Sequence, residues 1–170
     1  DVGEEDLKKT VLLFGFLMRI DRIGYIDSDF QVRIPFQFRN AGAFSEGMAV
    51  VQNNNYNGYS GYCNLSGDIC IPCKFAYANS FSDGLAVVSS KRKWGFIDKS
   101  GEFAIPPQFT AAFDFYHGIG SVLLNKSQQA YITKTGEVIF TVKNYIKGNG
   151  GLGCQDVEYE FQDGFLAVSY

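Results

Sequence analysis

The stretch "KWGFIDKSGEFAIPPQF", Lys93 to Phe109, sets Trp beside Gly, follows them with a turn-forming "DKSG", and closes an apolar run with two prolines. It is not unique in the chain. "IGYIDSDFQVRIP" (Ile23 to Pro35), "SGYCNLSGDICIP" (Ser60 to Pro72) and "WGFIDKSGEFAIP" (Trp94 to Pro106) align without gaps, and "QAYITKTGEVIFT" (Gln129 to Thr141) is a weaker fourth copy. Each is followed by a second element: "FSEGMAVV" at Phe44, "FSDGLAVV" at Phe81, "FYHGIGSV" at Phe115 and "FQDGFLAV" at Phe161. In the first three copies the closing proline precedes that phenylalanine by nine residues. Gly24, Gly61, Gly95 and Ala130 mark the period, with spacings of 37, 34 and 35 residues. Periods of this length belong to stacked supersecondary units, each burying its apolar faces against its neighbours.

Alternate residues of a strand share a face, so the copies can be read by column. Gly24, Gly61, Gly95 and Ala130 fall on one face with Ile26, Cys63, Ile97 and Ile132. A tiny residue beside an aliphatic one points to a core face where another backbone or ring comes close, and at Gly95 the expected occupant of that space is the stacked neighbour. The other face carries Tyr25, Tyr62, Phe96 and Tyr131, aromatic in every copy and able to stack from copy to copy. Beside them lies a variable column of Ile23, Ser60, Trp94 and Gln129 that tolerates solvent. "DKSG", "NLSG" and "TKTG" place Gly where a left-handed residue ends a short hairpin loop. The second strand is expected to turn Val32 and Ile34, Ile69 and Ile71, Phe103 and Ile105, and Val138 and Phe140 toward one side. Proline then ends the pairing for want of an N–H, and the "FSEG" unit turns the chain into a third strand such as "LAVV".

With these motifs the chain resembles the bacterial WG (KWG) repeat family, in which WG-[FY]-I-D-x-x-G-x-x-[VI]-I-P-P is followed by F-x-[ED]-G-L-A-V. Trp94 to Pro107 match the first part, and Phe81 to Val88 the second. The departures are a single Trp, Phe30 at the turn-glycine position of copy one, and an insertion in copy four. The predicted fold is all-β: tandem antiparallel units of three strands and about 35 residues, in an open array, with a closed propeller-like ring as the alternative. An N-terminal tail over 1–10 precedes one repeat domain over 11–170, with copies from near 23, 60, 94 and 129 and the insertion at 142–160. The resemblance implies no shared reaction.

Composition agrees. Of 170 residues, 46% are hydrophobic, and 16 Phe and 10 Tyr with 19 Gly favour short strands separated by turns. The charges, 15 Lys plus Arg against 18 Asp plus Glu, are dispersed and sum to −3, which gives no electrostatic reason to expect nucleic acid or an anionic membrane as partner. The longest apolar run, Val11 to Met18, is far shorter than the roughly 18 to 20 residues of a spanning helix. Asp1 in place of an initiator Met points to a processed or truncated N-terminus and leaves cytoplasmic and extracytoplasmic placement both open.

Each chemically suggestive motif is better explained by its column. His117, the one histidine, stands where other copies have Glu46, Asp83 and Asp163, a turn position rather than the centre of a pocket. "CIPC", Cys70 to Cys73, has redox or metal spacing, yet its cysteines replace Arg33 or Ala104 and Phe36 or Pro107, and Cys63 replaces Ile, so packing thiols are expected. "GNGGLG", Gly148 to Gly153, fits a dinucleotide fingerprint literally but lacks the βαβ setting that gives it meaning. "KRK" at Lys91 to Lys93 is a solvated turn, and the sequons at Asn64 and Asn125 matter only in a secreted eukaryotic protein. Asp27, Asp98, Glu46, Asp83 and Asp163 recur as turn residues, not as a catalytic pair.

The sequence therefore predicts a non-catalytic repeat scaffold that binds a protein or glycan, with no catalytic, cofactor or metal residues. One alternative is a targeting module for a larger enzyme or surface protein whose catalytic part lies outside this chain. Another is a carbohydrate-binding domain using Tyr25, Tyr62, Trp94 and Tyr131 as its surface. The strand at Phe165 to Tyr170 has no following copy, so self-association through this C-terminal edge is also expected.

Overall fold

The computed structural model describes residues 22–53 and 58–143, together with the backbone of 161–162 and 165–166. These residues form strands and turns with no helix. The N-terminal tail, the glycine-rich stretch, Cys154 and nearly all of the copy-four insertion lie outside them. So does most of Phe165 to Tyr170, on which the expected edge association rests.

β1 (Ile23–Ile26) and β2 (Val32–Phe38) form a two-stranded sheet. Three four-stranded antiparallel sheets follow, each strand pairing with the next in sequence. Sheet one holds β3 (Asn40–Ser45), β4 (Met48–Gln52), β5 (Ser60–Asn64) and β6 (Ile69–Phe75). Sheet two holds β7 (Tyr77–Ala78), β8 (Ala86–Ser90), β9 (Lys93–Ile97) and β10 (Phe103–Phe109). Sheet three holds β11 (Ala111–Ala112), β12 (Ile119–Asn125), β13 (Gln128–Thr133) and β14 (Val138–Lys143). The remaining pair is β15 (Phe161–Gln162) with β16 (Phe165–Leu166). The sheets make an open series rather than a closed barrel or ring.

The three strands expected of copy two are β5, β6 and β8, with the short β7 added between them. Sheet and copy are out of phase: β8 pairs with β9 of the following copy through the "SSKRK" turn, Val88 opposite Gly95 and Ser90 opposite Lys93. Every complete sheet thus joins the end of one copy to the hairpin of the next, so neighbouring copies are locked by backbone hydrogen bonds as well as by packing.

The core lies between sheets. Tyr25, Ile34 and Phe38 pack on Ala49, Val51 and Cys63 of sheet one. On the other side of that sheet, Met48, Tyr62, Ile71 and Phe75 pack on Phe81, Ala86, Val88 and Ile97 of sheet two. Phe96, Ile105 and Phe109 then meet Phe115, Val122 and Ile132 of sheet three. In the first three copies the recurrent aromatic does not use the copy-to-copy stacking open to it; it packs on the phenylalanine of the "FSEG" unit in the next sheet. The ring centroids are 4.7 Å apart for Tyr25 and Phe44, 4.9 Å for Tyr62 and Phe81, and 4.8 Å for Phe96 and Phe115.

A correction concerns the strand glycines. A Cβ at Gly24, Gly61 or Gly95 would lie 2.4, 2.3 or 2.6 Å from the carbonyl oxygen of Ile34, Ile71 or Ile105, within the same hairpin and not in a stacked neighbour. The Ile-Pro backbone folds over the glycine, which the register shows as an irregularity at this point in all three hairpins. In copy four Thr141 stands where the others have proline, Ala130 pairs regularly with Thr141, and alanine is accommodated.

Candidate interaction surface

The hairpin turns explain the recurrent acids. Asp27 Oδ1 accepts the N–H groups of Asp29 and Gln31, both at 2.9 Å, and Asn64 Oδ1 those of Ser66 and Asp68, both at 3.0 Å. Asp98 repeats the pattern with Ser100 and Glu102. Backbone hydrogen bonding from Gln31, with Arg33 beside it, holds the Asp27 carboxyl below the usual carboxylate range, and the Ser100 hydroxyl does the same for Asp98. The sequon residue Asn64 is therefore a turn-builder, and so is Asn125, whose Oδ1 accepts the N–H of Ser127.

The "FSEG" turns hold two successive left-handed residues, Glu46 and Gly47, Asp83 and Gly84, His117 and Gly118, as a two-residue hairpin of mirror-image type requires. Their acids link sheets. Glu46 accepts the N–H of Gly84 in the next sheet and pairs with Lys99 at 3.3 Å. Asp83 accepts the N–H of Gly118 and pairs with Lys134 at 2.9 Å, which lowers its pKa, the lysine contributing most. His117 occupies the third such turn, with its ring against Tyr116.

The cysteines do not converge. Cys63 is buried in the core, where burial pushes its thiol up to about 12, while Cys70 is exposed and Cys73 half-buried, all three as free thiols. No group of three or more His, Cys, Asp or Glu is placed to hold a metal among the described residues.

Tyr25, Tyr62, Trp94 and Tyr131 do not form a common surface. The rings of Tyr25, Tyr62 and Tyr131 are buried, and the hydroxyls of Tyr25 and Tyr62 donate to the carbonyls of Gly42 and Asn79 at 2.8 and 2.7 Å. Tyr131 stacks on Phe140. Trp94 alone is partly exposed, packed against the core between sheets two and three and meeting Tyr77 edge-on at 5.2 Å. The physical reason is that this face of the strands bearing Tyr25, Tyr62 and Trp94 turns toward the next sheet, so it cannot also offer rings to a sugar.

A different column is exposed. Val32, Ile69, Phe103 and Val138 are 54%, 44%, 40% and 51% accessible. Among the described residues this is the one position at which every copy exposes a large apolar side chain. The alternation of the sequence places them on the same side as Ile34, Ile71, Ile105 and Phe140, and the structure does not. A bulge separates the two sets: Ile26 pairs with Val32 but Tyr25 with Ile34, leaving Arg33 extra, and the same slip recurs at Cys70, Ala104 and Ile139. One extra residue reverses the facing of everything beyond it. The sequence signal was present in the variable, often polar residue between two apolar columns. The exposed set lies on β2, β6, β10 and β14, the strands at one edge of their sheets.

A family model described as the WG containing repeat matches residues 23–56, 61–94 and 94–126. No curated protein matches the chain.

Proposed function

The chain belongs to the family of WG containing repeats, and on that premise we propose that it is a non-catalytic repeat scaffold that binds a protein partner along the outer strands of its sheets. The observation that carries this reading is the exposed apolar column of Val32, Ile69, Phe103 and Val138. An array that buries its other recurrent large apolar positions, yet exposes this one in each copy, offers a repeated contact along its length. Aliphatic side chains and one phenylalanine suit a protein surface better than a sugar, which is gripped by flat exposed rings.

The test replaces all four residues by serine. Phe103 meets the buried Phe75 edge-on at 6.2 Å, so the variant should melt somewhat lower than the parent, by about 1 to 2 kcal/mol of stability in all, and circular dichroism selects the temperature at which both are folded. Proteins retained from a cell extract by the parent chain and lost by the folded variant support the reading. Identical sets retained by both overturn it.

A further inference from the structure

Resting on that reading, we propose that the partner element is an amphipathic helix of another protein, carrying basic residues beside apolar ones at every seventh position. The charge is set by the residue before each member of the apolar column: Gln31, Asp68, Glu102 and Glu137, all exposed. Of the nearby cations, Arg33 is engaged with Asp27, Lys99 with Glu46 and Lys134 with Asp83, while Lys74 Nζ donates to the Gly101 carbonyl beside Glu102. Asp68, Glu102 and Glu137 take part in none of the ion pairs among the described residues. In copies two to four the outer strands therefore present an apolar residue with an acid outside any ion pair beside it.

That pairing discriminates between occupants. A second copy laid antiparallel on the column would oppose Asp68 to Glu102 and Glu102 to Asp68, like charge facing like charge, and an anionic lipid surface would be repelled in the same way. A basic protein segment is attracted. Spacing then selects its conformation. Sheets stacked face to face repeat at about 10 Å. An extended chain covers that distance in about three residues, an odd number that sends successive pairs to opposite faces. A helix covers it in about seven residues, close to two turns, and keeps its pairs on one face.

Two labelled alanine-based helical peptides test the inference by fluorescence anisotropy, one with Leu-Lys pairs at every seventh position, the other with Glu for each Lys. The intact chain should bind the lysine peptide and not its glutamate twin, more weakly as salt rises. The double variant Ile69→Ser with Phe103→Ser, measured where circular dichroism shows it folded, should weaken binding about tenfold or more. The near-isosteric set Asp68→Asn, Glu102→Gln and Glu137→Gln should abolish the preference for lysine without disturbing the fold. Equal binding of both peptides, no binding of the lysine peptide, or indifference to these substitutions overturns the inference. If extract proteins are still lost with the four-serine variant, such a result leaves the scaffold reading standing and removes only the basic helix.

Discussion

At the scale of single residues, glycine has two separate duties in the hairpins, both of them filled in copies two and three. The strand glycine makes room for the Ile-Pro backbone of its own hairpin, and glycine and proline are lost together in copy four, at Ala130 and Thr141. Gly95→Ala should therefore cost about 1 to 3 kcal/mol by overpacking. Chemical denaturation checks this, and unchanged stability would refute the close approach of the Ile105 carbonyl. The turn glycines Gly67, Gly101 and Gly136 have φ of +86°. A Cβ on Gly67 or Gly101 would also press on Ile34 or Ile71 of the preceding sheet, at 2.6 and 2.9 Å. Phe30 holds the same left-handed position at φ 60° with its side chain in solvent. A left-handed backbone costs a residue with a Cβ about 1 to 2 kcal/mol. Phe30→Gly should recover part of this and raise the melting temperature; a fall would show that the exposed ring contributes contacts of its own.

At the scale of elements, the hairpins were legible because their turn chemistry is local: Asp27, Asn64 and Asp98 bind N–H groups two and four residues on. The candidate surface was not, because the bulges at Arg33, Cys70, Ala104 and Ile139 reverse the facing of the strand beyond them, and no residue type demands a bulge. Pairing of β8 with β9 could be read from the short "SSKRK" link, while the acid ladder from Glu46 to Gly84 and from Asp83 to Gly118 joins residues remote in sequence. The turn acids, Asp83 of the ladder among them, have a pH signature. Asp27, Asp83 and Asp98 all titrate below the ordinary carboxylate range in the folded chain. Their stabilisation is complete above the unfolded value of about 4 and is lost as pH falls through the folded values. Melting temperature should accordingly decline below about pH 4. Asp83→Asn, which tolerates the left-handed backbone and can still accept the Gly118 N–H, should shallow that decline by removing the titrating charge that pairs with Lys134; an unaltered acid limb would mean that this charge does not contribute to it.

At the scale of the whole molecule, the offset between copy and sheet decides what the cooperative unit is. The sequence presents units that begin at the Trp-Gly strand, and the family matches follow that phase, but hydrogen bonding closes units that begin at β3, β7 and β11. In a stacked array, stability is a sum of unit and interface terms, so a break inside a hydrogen-bonded unit should unravel all of its strands. Ending the chain after Thr110 leaves sheets one and two whole. Ending it after Ser127, although the chain is longer, removes β13 and β14 and leaves β11 and β12 as a two-stranded ribbon. Such a ribbon is marginal in water even when one face is covered. Hydrogen exchange on this longer truncation should find the amides from Ala111 to Asn125 exchanging nearly as fast as in the unfolded chain, with those of sheets one and two still protected. Retained protection of β11 and β12 would mean that packing on Phe96 and Ile105 suffices without the next hairpin, and that the sequence copy rather than the sheet is the unit that folds.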